Sequence, residues 1–294
     1  MIRVFDPRTV RLHRARAAHA PADFLAVEAA ERLADRLADV TRRFPRALLV
    51  GAAASVAALA GRGGIEQLAV LDPAEGFARA ARPLGVVGEA ELLPFAAGSF
   101  DLVLSNLALH WANDLPGALI QIRAALKPDG LFLASLLGGE TLGELRRALL
   151  EAELEEEGGA SPRVSPFADP RDLGGLLQRA GFALPVVDSD RLSATYPDAF
   201  ALMRDLRAMG ETNAVLERRK SFTRRATLAR AAALYQSQYA GADGRIPATF
   251  ELVTLTAWSP HESQPKPLRP GSAVQRLAAA LGAEERPAGD KTAP

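Results

Sequence analysis

The 294-residue chain contains no cysteine, which excludes disulfides, a thiolate nucleophile, Cys-ligated zinc and iron–sulfur ligation. A reducing compartment suits it. Neither sign of charge predominates, since 35 basic residues face 35 acidic ones, and the chain as a whole exerts no pull on nucleic acid or an anionic membrane. Long apolar runs are missing too: nothing approaches the ~20 residues that span a bilayer, and the N-terminus lacks the apolar core of a secretory signal. These absences predict a soluble, cytoplasmic protein without a transmembrane segment. The Arg-rich stretch "RTVRLHRARAAHA" resembles a mitochondrial transit peptide in composition, but it is short and Asp6 precedes it. Lysine occurs only at Lys127, Lys220, Lys266 and Lys291, leaving positive charge to arginine. Histidine is as scarce, at His13, His19, His110 and His261. With no close His-x-Asp pair, the two-His, one-carboxylate triad of a non-haem iron site has no visible source.

What is present is an alternation of strand and helix patterns. Residues 22–40 place Leu25, Ala29, Leu33 and Leu37 on one helix face. "RALLVG" reads as a strand ending at Gly51, and the Ala-rich segment behind it favours helix up to the glycines at 61, 63 and 64. "QLAVLD" followed by "PAEGFARAAR" repeats the unit, with Pro73 suited to the first helical turn. "LGVVGEAELLPF" supplies a third strand, "SFDLVLSNLALHW" a fourth that runs into a turn, "DLPGALIQIRAALKPDG" a helix and "LFLASLL" a fifth strand. This order predicts an α/β fold, with parallel βαβ units doubly wound on both faces of an open sheet.

Farther on, Thr141 and Glu144 have the spacing of a capping box, with Leu142, Leu145, Leu149 and Ala152 on the buried side of the helix they open. The acidic run "EAELEEE" reads as its solvated end. After a Gly/Pro-rich loop and a helix stopped by Gly181, "PVVDSDRLSATYP" is extended. Residues 198–241 then turn helical, with Leu228, Ala231, Ala232, Tyr235 and Tyr239 on one face and Thr227 able to cap. "ATFELVTLTAWSP" adds a last strand beside the extended segment. The predicted organisation is one domain over residues 1–264, with a helical N-terminal segment over 1–45 and a helical insertion over about 198–241, then a loose tail over 265–294 with one short helix.

Seven strands with a final antiparallel pair, together with "ELLPFAAGSFDLVLSNLALHW" and "KPDGLFLASL", resemble the class I S-adenosylmethionine-dependent methyltransferases, whose seven-stranded, mostly parallel sheet is Rossmann-like. Motifs outside that core narrow the resemblance. "VFDPRTVRLHRARAA", "LHWANDLPGAL", "GGETLGELR", "GGASPRVSPF", "MGETNA" and "HESQPKPLRPGSA" are similar to the mitochondrial respiratory complex I assembly factor five group and its bacterial relatives, from about Val4 to Ala273. The resemblance implies S-adenosylmethionine as cofactor and a protein partner, an arginine of a complex I subunit that is methylated or hydroxylated during assembly. Two other readings stay open: a non-catalytic assembly chaperone with a degenerate cofactor site, and a small-molecule carboxyl methyltransferase resembling the malonyl-carrier-protein enzyme of biotin synthesis.

In the resembled fold the first strand ends in an acidic residue and a Gly-x-Gly-x-Gly loop follows. Here Gly51 is kept, Leu49 stands in the acidic place, and Ala53 and Ser55 replace the later glycines. Ala adds a Cβ where the backbone approaches the cofactor, and Leu49 cannot accept a hydrogen bond from an amino group. Losing one charged hydrogen bond costs ~1.5–3 kcal/mol, which weakens such a site without abolishing it. Asp72 lies about 20 residues after Gly51, the offset of a ribose-binding carboxylate; the alternative is a cap on the following helix. Glu89 stands where relatives contact the adenine amino group, or is a solvated turn residue. Asn106 and Leu107 would pass beside the cofactor, because ligands in open α/β sheets lie at the carboxyl edge.

His110 and Trp111 follow directly and are the candidate catalytic residues, His110 as a base and Trp111 as a stacking surface for a guanidinium, or both as packing of the loop. Asn113 and Asp114 read as caps of the next helix. His261 and Glu262 in "HESQ" follow the last strand, either over the same mouth or fixing a loop. Arg163 and Ser165 suit a protein contact or a proline-shaped surface loop, and Arg218, Arg219, Lys220, Arg224 and Arg225 read as a solvated basic face.

Overall fold

The strand patterns all enter one sheet. β1 (Arg46–Val50), β2 (Gln67–Asp72), β3 (Gly85–Val87), β4 (Phe100–Asn106), β5 (Leu126–Leu137), β6 (Ala183–Tyr196) and β7 (Ile246–Trp258) lie in the order β3-β2-β1-β4-β5-β7-β6. The first five strands are parallel, and β7 enters antiparallel between β5 and β6. The computed structural model describes residues 3–19, 22–51, 53–81, 84–265 and 282, the side chain of Ala53 excepted. By contacts the chain divides into residues 1–261, which hold all of these strands, and residues 262–294. The predicted tail helix lies outside the described residues, Gly282 apart.

Side chains alternate across each strand. In β1, Leu48 and Val50 join the core under α5 (Leu115–Ala125) and α7 (Pro170–Arg179), whereas Ala47 and Leu49 join the core under α2 (Phe24–Ala38) with Leu33 and Leu37. Covered on both faces, the central strands are therefore continuous apolar runs. A third core, with Leu145, Leu149, Leu202, Leu206, Tyr235 and Phe250, forms where α6 (Gly143–Glu157), α8 (Ala199–Met209) and α9 (Arg225–Tyr239) pack on the β6–β7 pair.

Local cues give way where tertiary partners compete. The Ala-rich segment after Gly51 forms a 3-10 turn (Ala53–Ser55) and only the four-residue α3 (Val56–Leu59), beyond which Gly61 and Gly63 turn the chain at φ +76° and +56°. α4 (Glu75–Ala80) starts beyond Pro73. The capping box does not form: Thr141 Oγ1 accepts from Glu251 N at 3.1 Å and Glu144 bonds Thr249, so both side chains tie α6 to β7 instead. Thr227 does not cap α9, because its buried hydroxyl donates to Glu157 Oε1 at 2.7 Å. Asp114 caps α5, accepting from Gly117 N at 2.9 Å, while Asn113 Oδ1 accepts from Val4 N and Phe5 N, each at 2.8 Å.

The acidic run is a solvated end only in part: Glu155 and Glu156 are exposed, but Glu153 and Glu157 are not. Glu153 is 3% exposed and receives Arg163 Nη2 at 2.6 Å and Ser161 N at 2.8 Å, and Glu157 binds Arg219. Arg218 Nη2 donates to Thr9 Oγ1 at 2.7 Å. Two members of the supposed solvated basic face are therefore internal struts, whereas Lys220, Arg224 and Arg225 are exposed.

Candidate active site

β1, β2 and β4 are parallel neighbours, so their last residues lie side by side at one edge of the sheet, where open α/β folds leave a crevice. Gly51 ends β1 at φ +81°, and a Cβ there would stand 2.6 Å from Ala108 Cβ and 2.9 Å from the Asn106 carbonyl. Only glycine lets the turn after β1 come so close to the turn after β4. A cleft of about 610 Å³ opens here, walled by Val50, Gly51, Leu71, Gly88, Ala108 and Trp111, with Glu89 also lining it.

α1 (Pro7–Ala17) lies along this cleft and contributes Pro7, Val10 and Arg14 to its lining. Asp6 caps the helix, accepting from Arg8 N and Thr9 N, and Asn113 holds the two residues before it. Arg14 and Asp72 are both buried and joined by Nη2 to Oδ2 at 2.5 Å, while Asp72 Oδ1 accepts from Ala74 N at 2.8 Å. About one turn earlier on the helix, Arg11 pairs with Glu89. Burial works against the charge of Arg14, yet the charge and hydrogen bonds of Asp72, with the charge of Glu211, outweigh it and hold the guanidinium above its ordinary pKa. The two carboxylates read as nucleoside contacts are thus each met by an arginine of the chain itself.

The largely apolar walls of the cleft, with Glu89 among them, suit the adenosyl end of S-adenosylmethionine. A carboxylate oxygen can accept two hydrogen bonds, and Asp72 Oδ2 is engaged by Arg14 alone. Asp72 itself is fully buried, and of this pair it is Arg14 that lines the cleft.

Beyond the cleft, Leu107 at φ +47° leads into a 3-10 turn, Leu109–Trp111. Trp111 packs edge-on against Phe5, ring centres 5.2 Å apart, and the two join Val10, Ala214 and Val215 in a small core that fastens α1 to the 214–215 segment. Its Nε1 is buried without a partner. His110, 6% exposed, places Nε2 3.0 Å from Oε2 of Glu211 in "MGETNA". A carboxylate only accepts, so with Glu211 in that form Nε2 carries a hydrogen, while Nδ1 is buried and unpartnered.

Three spaces share walls along this line. Arg14 lines both the cleft and an inner cavity that includes Leu25, Ala26 and Leu107. Glu211 lines that inner cavity and also an outer one of about 800 Å³, bounded by α6, α8 and residues 163–167 and 211–213.

The other sequence candidates sit as follows. Asn106 Nδ2 donates to Ala26 O at 2.7 Å and Ser55 Oγ at 2.6 Å, tying α2 to the loop after β1, and its Oδ1 is buried without a partner. Leu49 is fully buried in the α2 core. Ala53 opens the 3-10 turn after β1. β7 runs antiparallel to β5, and Trp258 pairs with Leu131 near the start of β5. His261 therefore leaves the sheet at its amino edge, opposite the cleft, which overturns the placement of His261 over the same mouth. No group of three or more His, Cys, Asp or Glu able to hold a metal occurs among the described residues, and no helix there is long and apolar enough to cross a membrane.

The methyltransferase domain family matches residues 48–134, from β1 into β5. Over a longer span, the arginine-hydroxylase NDUFAF5, mitochondrial, of Homo sapiens is 42% identical across 283 residues, with 93% of this chain and 82% of the relative covered. The chain belongs to the NDUFAF5-related class I methyltransferase family. Its Danio rerio relative of the same name is 45% identical over 257 residues, covering 85% of this chain and 80% of that one. A malonyl-[acyl-carrier protein] O-methyltransferase of Xylella fastidiosa (strain M23) is 40% identical over 271 residues, covering 87% and 89%. Among solved structures, the YcgJ protein of Bacillus subtilis superposes with a TM-score of 0.54 at 15% identity, covering 78% of this chain and 98% of that one, a likeness of fold alone.

In this NDUFAF5-related chain, sequence reasoning passed over Arg11, Arg14 and Glu211. The two arginines stand three apart on α1 and could have been read as one helix face. Glu211 offers less, since its local cue is only that it follows Gly210, which ends α8 at φ +81°.

Proposed function

We propose that this chain is an enzyme that modifies an arginine side chain of a respiratory complex I subunit during assembly, in the cytoplasm, with S-adenosylmethionine held in the cleft. One observation carries the reading: Arg14 lines both the cleft and the inner cavity, and Glu211, bonded to His110, lines both the inner cavity and the outer one, so the three spaces stand side by side along the His110–Glu211 pair. The relatives named arginine hydroxylase support the arginine, and the methyltransferase-domain match supports the cofactor.

In this reading Asp72 holds the ribose and Glu89 the adenine edge. Gly51 and Ala53 form the approach loop, and Asn106 and Leu107 flank it. The bound cofactor supplies an electrophilic methyl group on a sulfonium. His110, with its Nε2–H fixed by Glu211, offers the Nδ1 lone pair to a guanidinium proton. Trp111, wedged against Phe5, keeps α1 seated over the cleft. Calorimetric titration with S-adenosylmethionine and S-adenosylhomocysteine tests the reading. Saturable micromolar binding that is lost in Asp72→Asn is expected, and absence of binding at millimolar ligand overturns it.

A second reading, a non-catalytic assembly chaperone, is favoured by the Arg14–Asp72 and Arg11–Glu89 pairs, which already satisfy both carboxylates. It expects a folded Asp72→Ala, His110→Ala double variant to restore complex I assembly in a deletion strain. Failure of that variant removes it.

A further inference from the structure

We infer that Glu211 selects the acceptor, pairing through its free oxygen with a cationic side chain that enters the outer cavity. This rests on the arginine-modifying reading and names the group that gives it specificity. The Glu211 side chain is 6% exposed, and its Oε2 is held by His110 at 3.0 Å. Its Oε1 has no hydrogen bond to any described residue. That oxygen is not among the fully buried unpartnered atoms, so it keeps accepting capacity for a donor that enters the cavity Glu211 lines.

The surroundings say what kind of donor. Leu142, Leu145, Leu149 and Leu206 line the same cavity as Glu211, an apolar wall in which Glu211 is the acidic group. An arginine has the matching form, three methylenes carrying a planar fork of N–H donors. Of the positive charges nearby, Arg14 is committed to Asp72 and Arg163 on the cavity wall to Glu153, while Arg207 lines the cavity with an exposed side chain. None of them neutralises Glu211 by a salt bridge. The orphaned Nε of Arg163 adds a donor for a peptide carbonyl of the same acceptor. A malonyl carboxylate would instead meet the Glu211 carboxylate as a like charge, which disfavours it.

The test is a ligand-observed NMR titration of the full chain with Nα-acetyl-arginine amide, the uncharged isostere Nα-acetyl-citrulline amide, and malonyl-pantetheine. The wild type is expected to bind the arginine amide at least tenfold more tightly than the citrulline amide. Glu211→Gln should bring the two within twofold, and Glu211→Asp should keep the preference. Should Glu211→Gln not fold, the wild-type ratio and Glu211→Asp decide. Equal binding by the wild type overturns the inference. A preference that persists in Glu211→Gln also overturns it, yet leaves the arginine-modifying reading standing. Binding of malonyl-pantetheine in place of the arginine amide, or no binding of the arginine amide at all, overturns both.

Discussion

The cleft along α1 and the cavity between α6 and α8 treat a buried carboxylate in opposite ways. Beside the cleft, buried Asp72 meets the full charge and two nitrogens of Arg14, and on the cleft lining the partly exposed Glu89 meets Arg11. In the cavity, Glu211 meets one ring nitrogen of His110 and keeps an oxygen open. An arginine closes a carboxylate site until something displaces it, whereas a histidine orients the carboxylate and leaves capacity for a further donor. The same contrast separates the part of the site where a ligand must compete with the chain from the part where it completes it.

The largest effect should come from breaking the closed side. Arg14→Ala leaves Asp72 buried and uncompensated, and thermal or urea denaturation should show a loss of about 3–5 kcal/mol. Most of that loss should return in an Arg14→Ala, Asp72→Ala double variant, since the cost lies in the orphaned charge. A wild-type melting curve for Arg14→Ala would mean that charge does not close the cleft.

Next comes the wall of the open side, where Glu153 anchors Arg163. Burial opposes ionisation of Glu153, but hydrogen bonds from Arg163 and Ser161, with the charge of Arg163, together outweigh it and hold the carboxyl below its usual range. With the folded-state pKa below the unfolded one, the contribution is complete above the ordinary value of 4.5 and disappears as pH falls through the folded-state value. Glu153→Gln should cost about 1.5–3 kcal/mol at neutral pH, and the gap to wild type should narrow in melts taken below pH 4.5. A gap independent of pH would show that packing, not charge, holds this wall.

The smallest effect sharpens the comparison within α1 itself. Arg11 and Glu89 have side chains 56% and 36% exposed, and solvent screening leaves such a pair worth below about 1 kcal/mol. Arg11→Ala should melt close to wild type and lose its small effect in high salt. A cost equal to that of Arg14→Ala would place both arginines in one buried lock.

Most of the architecture was legible because its cues are local. Apolar runs such as "LLV" and "FDLVLS", ended by turn residues, specify strands through a period of two or through burial on both faces, and the chain order then leaves few sheet topologies. Thr141, Glu144 and Thr227 misled for the same reason: each has a plausible local partner, and each found a better-placed one on another element. In the site, Asp72 could be placed from its distance to Gly51, but the arginine that occupies it could not. Glu211 was invisible as a functional group, since nothing within "MGETNA" points to His110.

Strand order, helix order and the edge at which a ligand would lie follow from patterns a few residues long. Which carboxylate is closed and which stays open depends on partners 58, 78 and 101 positions apart. Those pairs are decided by how α1 and the turn after α8 pack on the end of β4, because ion pairs and hydrogen bonds act over a few ångströms of space and are blind to separation along the chain.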